Sequence, residues 1–290
     1  MITISNLTKR YRDVLAVDDV SLEIPNGSVC GLLGRNGAGK TTTFKCVLGF
    51  ARPDAGDVRF DGERLAPRTF ERLGYVPERP QLYPWMSVAE HVEMVRHSQP
   101  RFDAARAAEL LATFRLPAKR ASRKLSKGQQ TALALTVALS TNPSLLVLDE
   151  PASGLDPVLQ RAVLDILIDA AQDGATVLMS SHQIGQIDRA ADRVAIMRDG
   201  KIVLAGETDD LRAAAKIVEG TFDGGVPELS GLSGVVRIER AGTTLRAYAN
   251  GAPDPIVARF DALGARGVRV LDRSLEDLFL EAVSDEGAPS

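Results

Sequence analysis

The stretch Gly34-Arg35-Asn36-Gly37-Ala38-Gly39-Lys40-Thr41 constrains this chain more than any other, because an apolar run, Val29 to Leu33, precedes it and an apolar-periodic segment, Lys40 to Leu48, follows. The pattern GxxxxGK[ST] in that setting predicts a strand, a glycine-rich turn and a helix start. Glycines let the backbone curl until successive N–H groups point inward. The helix N-terminus adds positive potential, and Lys40 reaches the β- and γ-phosphates of a nucleotide. Thr41 is then the expected Mg²⁺ ligand, with Thr42 a further phosphate donor. The loop alone says only that a nucleotide phosphate binds, since kinases, GTPases and motor ATPases all use it.

Composition removes other classes. The 290 residues suggest about two domains. Hydrophobic residues at 44% and charged residues at 25% exclude disordered and collagen-like chains. A net charge of −3 offers no bulk attraction to nucleic acid. No window reaches the ~18 apolar residues of a membrane span, and the N-terminus lacks a signal-like apolar run, so a cytoplasmic chain is expected. Cys30 and Cys46 fit that reading as small buried hydrophobes.

Strands and helices alternate around the loop: Leu145 to Leu148 precedes a helix from Pro157, and Thr176 to Met179 follows it. That order predicts a largely parallel sheet covered by helices. Pro77 to Asn142 reads as helices without strands, with Ser87-x-x-Glu90 a capping box and Asp103 a cap. Asp199-Gly200 suits the two positive φ values of a tight hairpin turn. Beyond Ala215 come a hairpin around Ala241-Gly242, a helix stopped by Gly264, a strand from Val268 and a last helix capped by Ser274. The tail from Ser284 is expected to fray.

Three further segments carry chemistry. Asp149 and Glu150 end a buried strand run, the edge where ligands of parallel sheets bind. Asp149 would hold the Mg²⁺ ion through its water shell, and Glu150 would act as general base toward the attacking water. Leu125-Ser126-Lys127-Gly128-Gln129 opens an apolar helix whose free N–H groups form a second anion site, which invites the nucleotide of another copy. Asp156 before Pro157 is a helix cap as well as a ligand candidate. His182 ends the strand run Val177 to Ser181, where it can touch a γ-phosphate.

Together, Gly34 to Thr41, Leu125 to Gln129, Asp149, Glu150, Ser153 to Asp156 and His182 resemble, in order and spacing from Met1 to about Leu211, the ATP-binding subunit of ABC transporters. The resemblance implies an α/β P-loop NTPase fold, the ABC cassette. Its mixed, largely parallel sheet carries an antiparallel β part. It implies a cassette over 1–215 with a helical insertion at about 79–143, and a small α+β C-terminal domain over 216–290. The activity implied is hydrolysis of ATP, with Mg²⁺, coupled to transport. Two subunits, alike or different, would pair head to tail, so that Ser126, Gly128, Gln129 and Asp156 of one copy reach the nucleotide held by the other. Tyr11 matches the aromatic that stacks on adenine. Glu78 stands where glutamine is usual, a candidate for the catalytic and metal shells that also brings negative charge beside the γ-phosphate. Lys127 replaces a glycine of the signature.

With no membrane span in the chain, separate membrane subunits are the implied partners, and the location is the cytoplasmic face of the plasma membrane. Trp85, in Gln81 to Met86, is the candidate anchor for them. Both sequence departures are shared with subunits of simple exporters, so export is the expected direction. A soluble ATPase of translation or repair and a nucleotide switch without hydrolysis remain the other readings.

Overall fold

A computed structural model describes residues 1–64, 66–223 and 234–284, which fall into two compact units, Met1–Ala205 and Gly206–Ser290. The first unit runs β1 (Ile2–Tyr11), β2 (Val14–Ile24), β3 (Val29–Gly34), α1 (Lys40–Val47), β4 (Ala55–Phe60), β5 (Glu63–Arg64), α2 (Pro67–Phe70), β6 (Leu73–Val76), α3 (Val88–Ser98), α4 (Ala104–Thr113), α5 (Lys127–Leu139), β7 (Leu145–Asp149), α6 (Pro157–Gln172), β8 (Thr176–Ser181), α7 (Ile184–Ala190), β9 (Arg193–Arg198) and β10 (Lys201–Glu207). The second holds α8 (Thr208–Ala214), β11 (Ala215–Thr221), β12 (Val235–Ala241), β13 (Thr244–Asn250), α9 (Asp254–Ala262), β14 (Arg266–Asp272) and α10 (Leu275–Val283).

Two sheets build the first unit. Strand order β10-β9-β3-β8-β7-β6 makes a mixed sheet, parallel from β9 to β6, and β2-β1-β4-β5 makes an antiparallel one. The central strands β3, β7 and β8 are buried at every position, as continuous apolar runs covered on both faces must be. Alternation divides their side chains. Leu32, Leu145, Val147 and Leu178 join a core with Ile2, Ile4, Val20 and Ile24 of the antiparallel sheet and with Phe44 and Val47 of α1. Each such side chain removed from water contributes about 1.5–3 kcal/mol, so α1 is pinned between the sheets by its own apolar face. On the other side α7 and α6 pack on β3.

The insertion region from 79 to 143 holds α3, α4, α5, a short 3₁₀ turn and one isolated bridge, Ser87 with Ala121. Its caps form as the side chains require: Ser87 accepts from the Glu90 amide, and Asp103 from those of Ala105 and Arg106. Asp199 and Gly200 take φ of 50° and 81° between β9 and β10. Cys30 and Cys46 are free and buried, and burial pushes the Cys30 thiol up to about 12.

The second unit is a four-stranded sheet, β12-β13-β11-β14, antiparallel throughout. Val218, Leu245, Ala247 and Ala249 form its core with Ile256 and Phe260 of α9. It starts at Gly206 rather than at 216, because α8 packs on β11. The tail expected to fray lies, from residue 285, outside the described residues. No helix among them is long and apolar enough to cross a membrane.

Candidate active site

Parallel register brings the functional ends together. Leu33 pairs with Ser181, Asp149 with Ser180 and Val76 with Leu148, so β3, β8, β7 and β6 deliver the phosphate loop, His182, Asp149, Glu150 and Glu78 to one edge. There a pocket of about 580 Å³ is lined by Arg35 to Thr42, Glu78, Asp149, Glu150, Ser153, His182, Val14 to Ala16, Asp199 and Gly200.

The loop is braced from outside. Gly39 has φ of +107°, and a β-carbon there would stand 2.5 Å from the Ala16 carbonyl oxygen, so no other residue fits. The Gly200 amide donates to Ala38 O at 3.0 Å, while Gly200 O accepts from the Asp18 amide at 2.9 Å. The hairpin turn thereby ties β2 to the phosphate loop.

Lys40 is only 7% exposed. Its Nζ donates to Gly34 O at 2.6 Å and to Arg35 O at 3.4 Å. Burial lowers its pKa, and the charges of Glu150, Asp149 and Glu78 act in the opposite direction. Phosphate oxygens form stronger, charge-assisted bonds than carbonyls, so an arriving polyphosphate would draw this ammonium from the loop to itself.

Asp149 and Glu150 are held apart in role by one serine. Ser180 Oγ donates to Asp149 Oδ1 at 2.6 Å and accepts from the Glu150 amide at 3.0 Å. The other Asp149 oxygen accepts from Thr41 Oγ1 at 2.8 Å. Glu150 has a left-handed backbone, φ 54°, uncommon for a residue with a β-carbon and characteristic of functional positions. Its Oε2 lies 2.7 Å from His182 Nδ1. Burial and the Asp149 charge raise the pKa of nearby Tyr75.

Thr41 and Asp149 converge as a hard, oxygen-only pair. That donor set fits Mg²⁺, which takes one or two protein oxygens and completes its shell with phosphate and water. Among the described residues no cluster of three or more His, Cys, Asp or Glu could hold a metal without such help.

Other expected site residues lie elsewhere. Tyr11 is 44% exposed and outside the pocket lining, with Lys9 Nζ 5.3 Å from its ring centroid. Ser126 and Gln129 cap one another at the start of α5, and Asp156 accepts from the amides of Val158 and Leu159. These two helix starts are neighbours: a β-carbon on Gly128 would meet Leu155 Cδ2 at 3.0 Å. None of the four signature and cap positions lines the pocket of its own chain. Sequence reasoning missed Ser180, Val14 and the bracing role of the Asp199-Gly200 turn. The signal for Ser180 was its strand register beside Asp149.

The family profile described as ABC transporter matches residues 17–153. A Nod factor export ATP-binding protein of Burkholderia orbicola is 35% identical over 97% of this chain and 96% of its own. An ABC transporter ATP-binding protein of Bacillus subtilis is 30% identical over 77% of each. Among solved structures, an ATP-binding subunit of an ABC transporter superposes with a TM-score of 0.68 at 29% identity, over 73% of this chain and 92% of the other. A dimeric cassette in a post-hydrolysis state, bound to ADP and Pi, gives 0.65 at 25%, over 71% and 98%.

Proposed function

This chain belongs to the ABC transporter family, among its ATP-binding proteins, and from that premise we propose how it turns over ATP and what it drives. The observation that carries the reading is the convergence of Lys40, the Thr41–Asp149 pair and the Glu150–His182 pair at one pocket. Lys40 and the loop amides would bind the β- and γ-phosphates, with Arg35 and Thr42 beside them. Tyr11 and Val14, both exposed apolar surfaces, would flank the base. Thr41 and Asp149 would hold Mg²⁺, with Glu78 at the margin of that shell; the ion supplies neutralisation of phosphate charge.

Glu150 positions a water opposite the γ-phosphorus. As the water oxygen bonds to phosphorus, the bond to the β–γ bridging oxygen breaks, and Glu150 takes the water's proton. ADP and inorganic phosphate are the products. His182 would fix the carboxylate by donating from Nδ1, and with both ring nitrogens protonated its Nε2 would donate to the γ-phosphate. Positioned general bases contribute roughly 10²–10⁴-fold, so Glu150→Gln is expected to cut phosphate release by about 10³-fold while ATP binding by calorimetry persists. Equal turnover in both proteins would instead favour a switch without hydrolysis.

A second copy completes the site. Ser126, Gly128, Gln129 and Asp156 lie outside the lining of their own chain's phosphate pocket, and a head-to-tail pair would present them to the other copy's γ-phosphate. The partners beyond that pair are separate membrane subunits, which would place the chain at the cytoplasmic face of the membrane, and relatives named for export support an exporter. The small C-terminal unit would serve as an accessory domain. Trp85 is 70% exposed and Tyr83 47%, their ring centroids 5.5 Å apart. Beneath them His91, 2% exposed, accepts from the Tyr83 amide at 3.1 Å, so this aromatic surface is held ready rather than loose. Trp85→Ala is expected to release membrane subunits during purification in mild detergent without lowering ATP affinity. Weakened ATP binding in that variant would remove Trp85 from the docking surface.

A further inference from the structure

The pocket is poorly balanced for its ligand. Four carboxylates, Glu78, Asp149, Glu150 and Asp199, line it against two cations, Arg35 and Lys40, although a nucleoside triphosphate brings further negative charge. Asp149 and Glu150 are occupied by Thr41, Ser180 and His182. Glu78 is exposed, and among the described residues its carboxylate has no hydrogen-bond or ion-pair partner.

A charge of the opposite kind stands unpaired elsewhere on the same unit. Lys127, the first residue of α5, is exposed and its ammonium has no carboxylate partner among the described residues. It lies over the loop before α6, since a β-carbon on Gly154 would stand 3.4 Å from Lys127 Nζ. Ser126 and Gln129 beside it already satisfy one another. Lys127 is thus an unpaired cation, among the described residues, beside the capped helix start that the head-to-tail pair would present to the other copy's nucleotide.

We propose that Lys127 of one copy pairs with Glu78 of the other when ATP closes the dimer, so that the two departures from the family pattern compensate across the interface. This rests on the head-to-tail reading above. A carboxylate has two oxygens, so one that faces the Mg²⁺ shell leaves the other for an ammonium. Each site then gains a further positive charge from its partner, which makes Lys127 a positioning residue and ties closure to both copies. Desolvated charge pairs at interfaces are worth enough to set which partners associate.

Charge reversal in separate copies tests this in a background of Glu150→Gln, where ATP-bound dimers accumulate and sedimentation counts them. Glu78→Lys alone sets two cations against each other at both interfaces, and Lys127→Glu alone sets two carboxylates. Each should raise the protein concentration for half-dimerisation at saturating ATP by about 10-fold. An equimolar mixture restores an opposite pair at both interfaces, and should return to within about 2-fold of the parent. ATP binding by each variant alone checks that it folds. A mixture no better than its components overturns the pairing. A parent that stays monomeric with ATP bound overturns the head-to-tail reading, and the pairing with it.

Discussion

The two units treat charge in opposite ways. In the cassette, Lys40 is buried against carbonyl oxygens, and the four carboxylates that line its pocket do not bond to it. In the C-terminal unit, the carboxylate of Glu219 is gripped by two guanidiniums, Arg246 at 2.6 Å and Arg269 at 2.6 Å, on the strands either side. Arg273, whose side chain is 1% exposed, bonds Glu281, Asn250 and the Asp277 carbonyl, and lies with Arg237 over the Tyr248 ring. Charge left unsatisfied in a pocket waits for a ligand, and charge satisfied within the chain holds the chain. The cassette is therefore built for chemistry at some cost in stability, and the smaller unit for its own cohesion.

The sharpest test of the contrast is Arg273→Ala. Removing one partner of a buried ion pair costs about 3–5 kcal/mol, and because Glu281 is 33% exposed and can be rehydrated the lower end, about 3 kcal/mol, is expected. Hydrogen exchange in β11 and β13 should accelerate accordingly while ATP hydrolysis is unchanged. Loss of hydrolysis would mean that the two units are energetically coupled. The reverse test is Ser180→Ala in the cassette. It strands the Glu150 amide and frees Asp149, a loss of about 1–2 kcal/mol, and turnover should fall on the order of 10-fold, as removal of a group that orients a metal ligand does. An unchanged rate would show that Asp149 and Glu150 hold position without it.

The smallest effect separates the units by pH. Hydrogen bonds from Arg246 and then Arg269 hold the Glu219 carboxyl below its ordinary value. A carboxylate with a depressed folded pKa stabilises fully above its unfolded value and loses that contribution as pH falls through the folded one. Hydrogen exchange of residues 234–284 should therefore accelerate in acid, and Glu219→Gln should flatten the dependence. An equally steep variant would assign the acid response to other carboxylates.

Legibility followed contiguity. The phosphate loop, the caps at Ser87, Asp103, Asp156 and Ser274, the hairpin at Asp199-Gly200 and the buried strand runs are readable because each depends on residues a few positions apart. What escaped was non-local. Ser180 acts through its neighbour strand, Gly200 through the Ala38 carbonyl, and Glu219 through cross-strand partners 27 and 50 positions away. Tyr11 sits outside the pocket lining, with Lys9 near its ring. The division between units moved to Gly206 because α8 packs forward onto β11, which no local pattern announces.

The chemistry available is written in local patterns: a lysine on a glycine loop, a hydroxyl, two adjacent acids and a histidine at strand ends. Which of these groups meet depends on the packed fold. Strand register is set by burial of whole apolar faces across distant segments, so it alone could put Asp149 beside Thr41 and Ser180, and Glu150 beside His182. Among the described residues it also left Glu78 and Lys127 without side-chain partners.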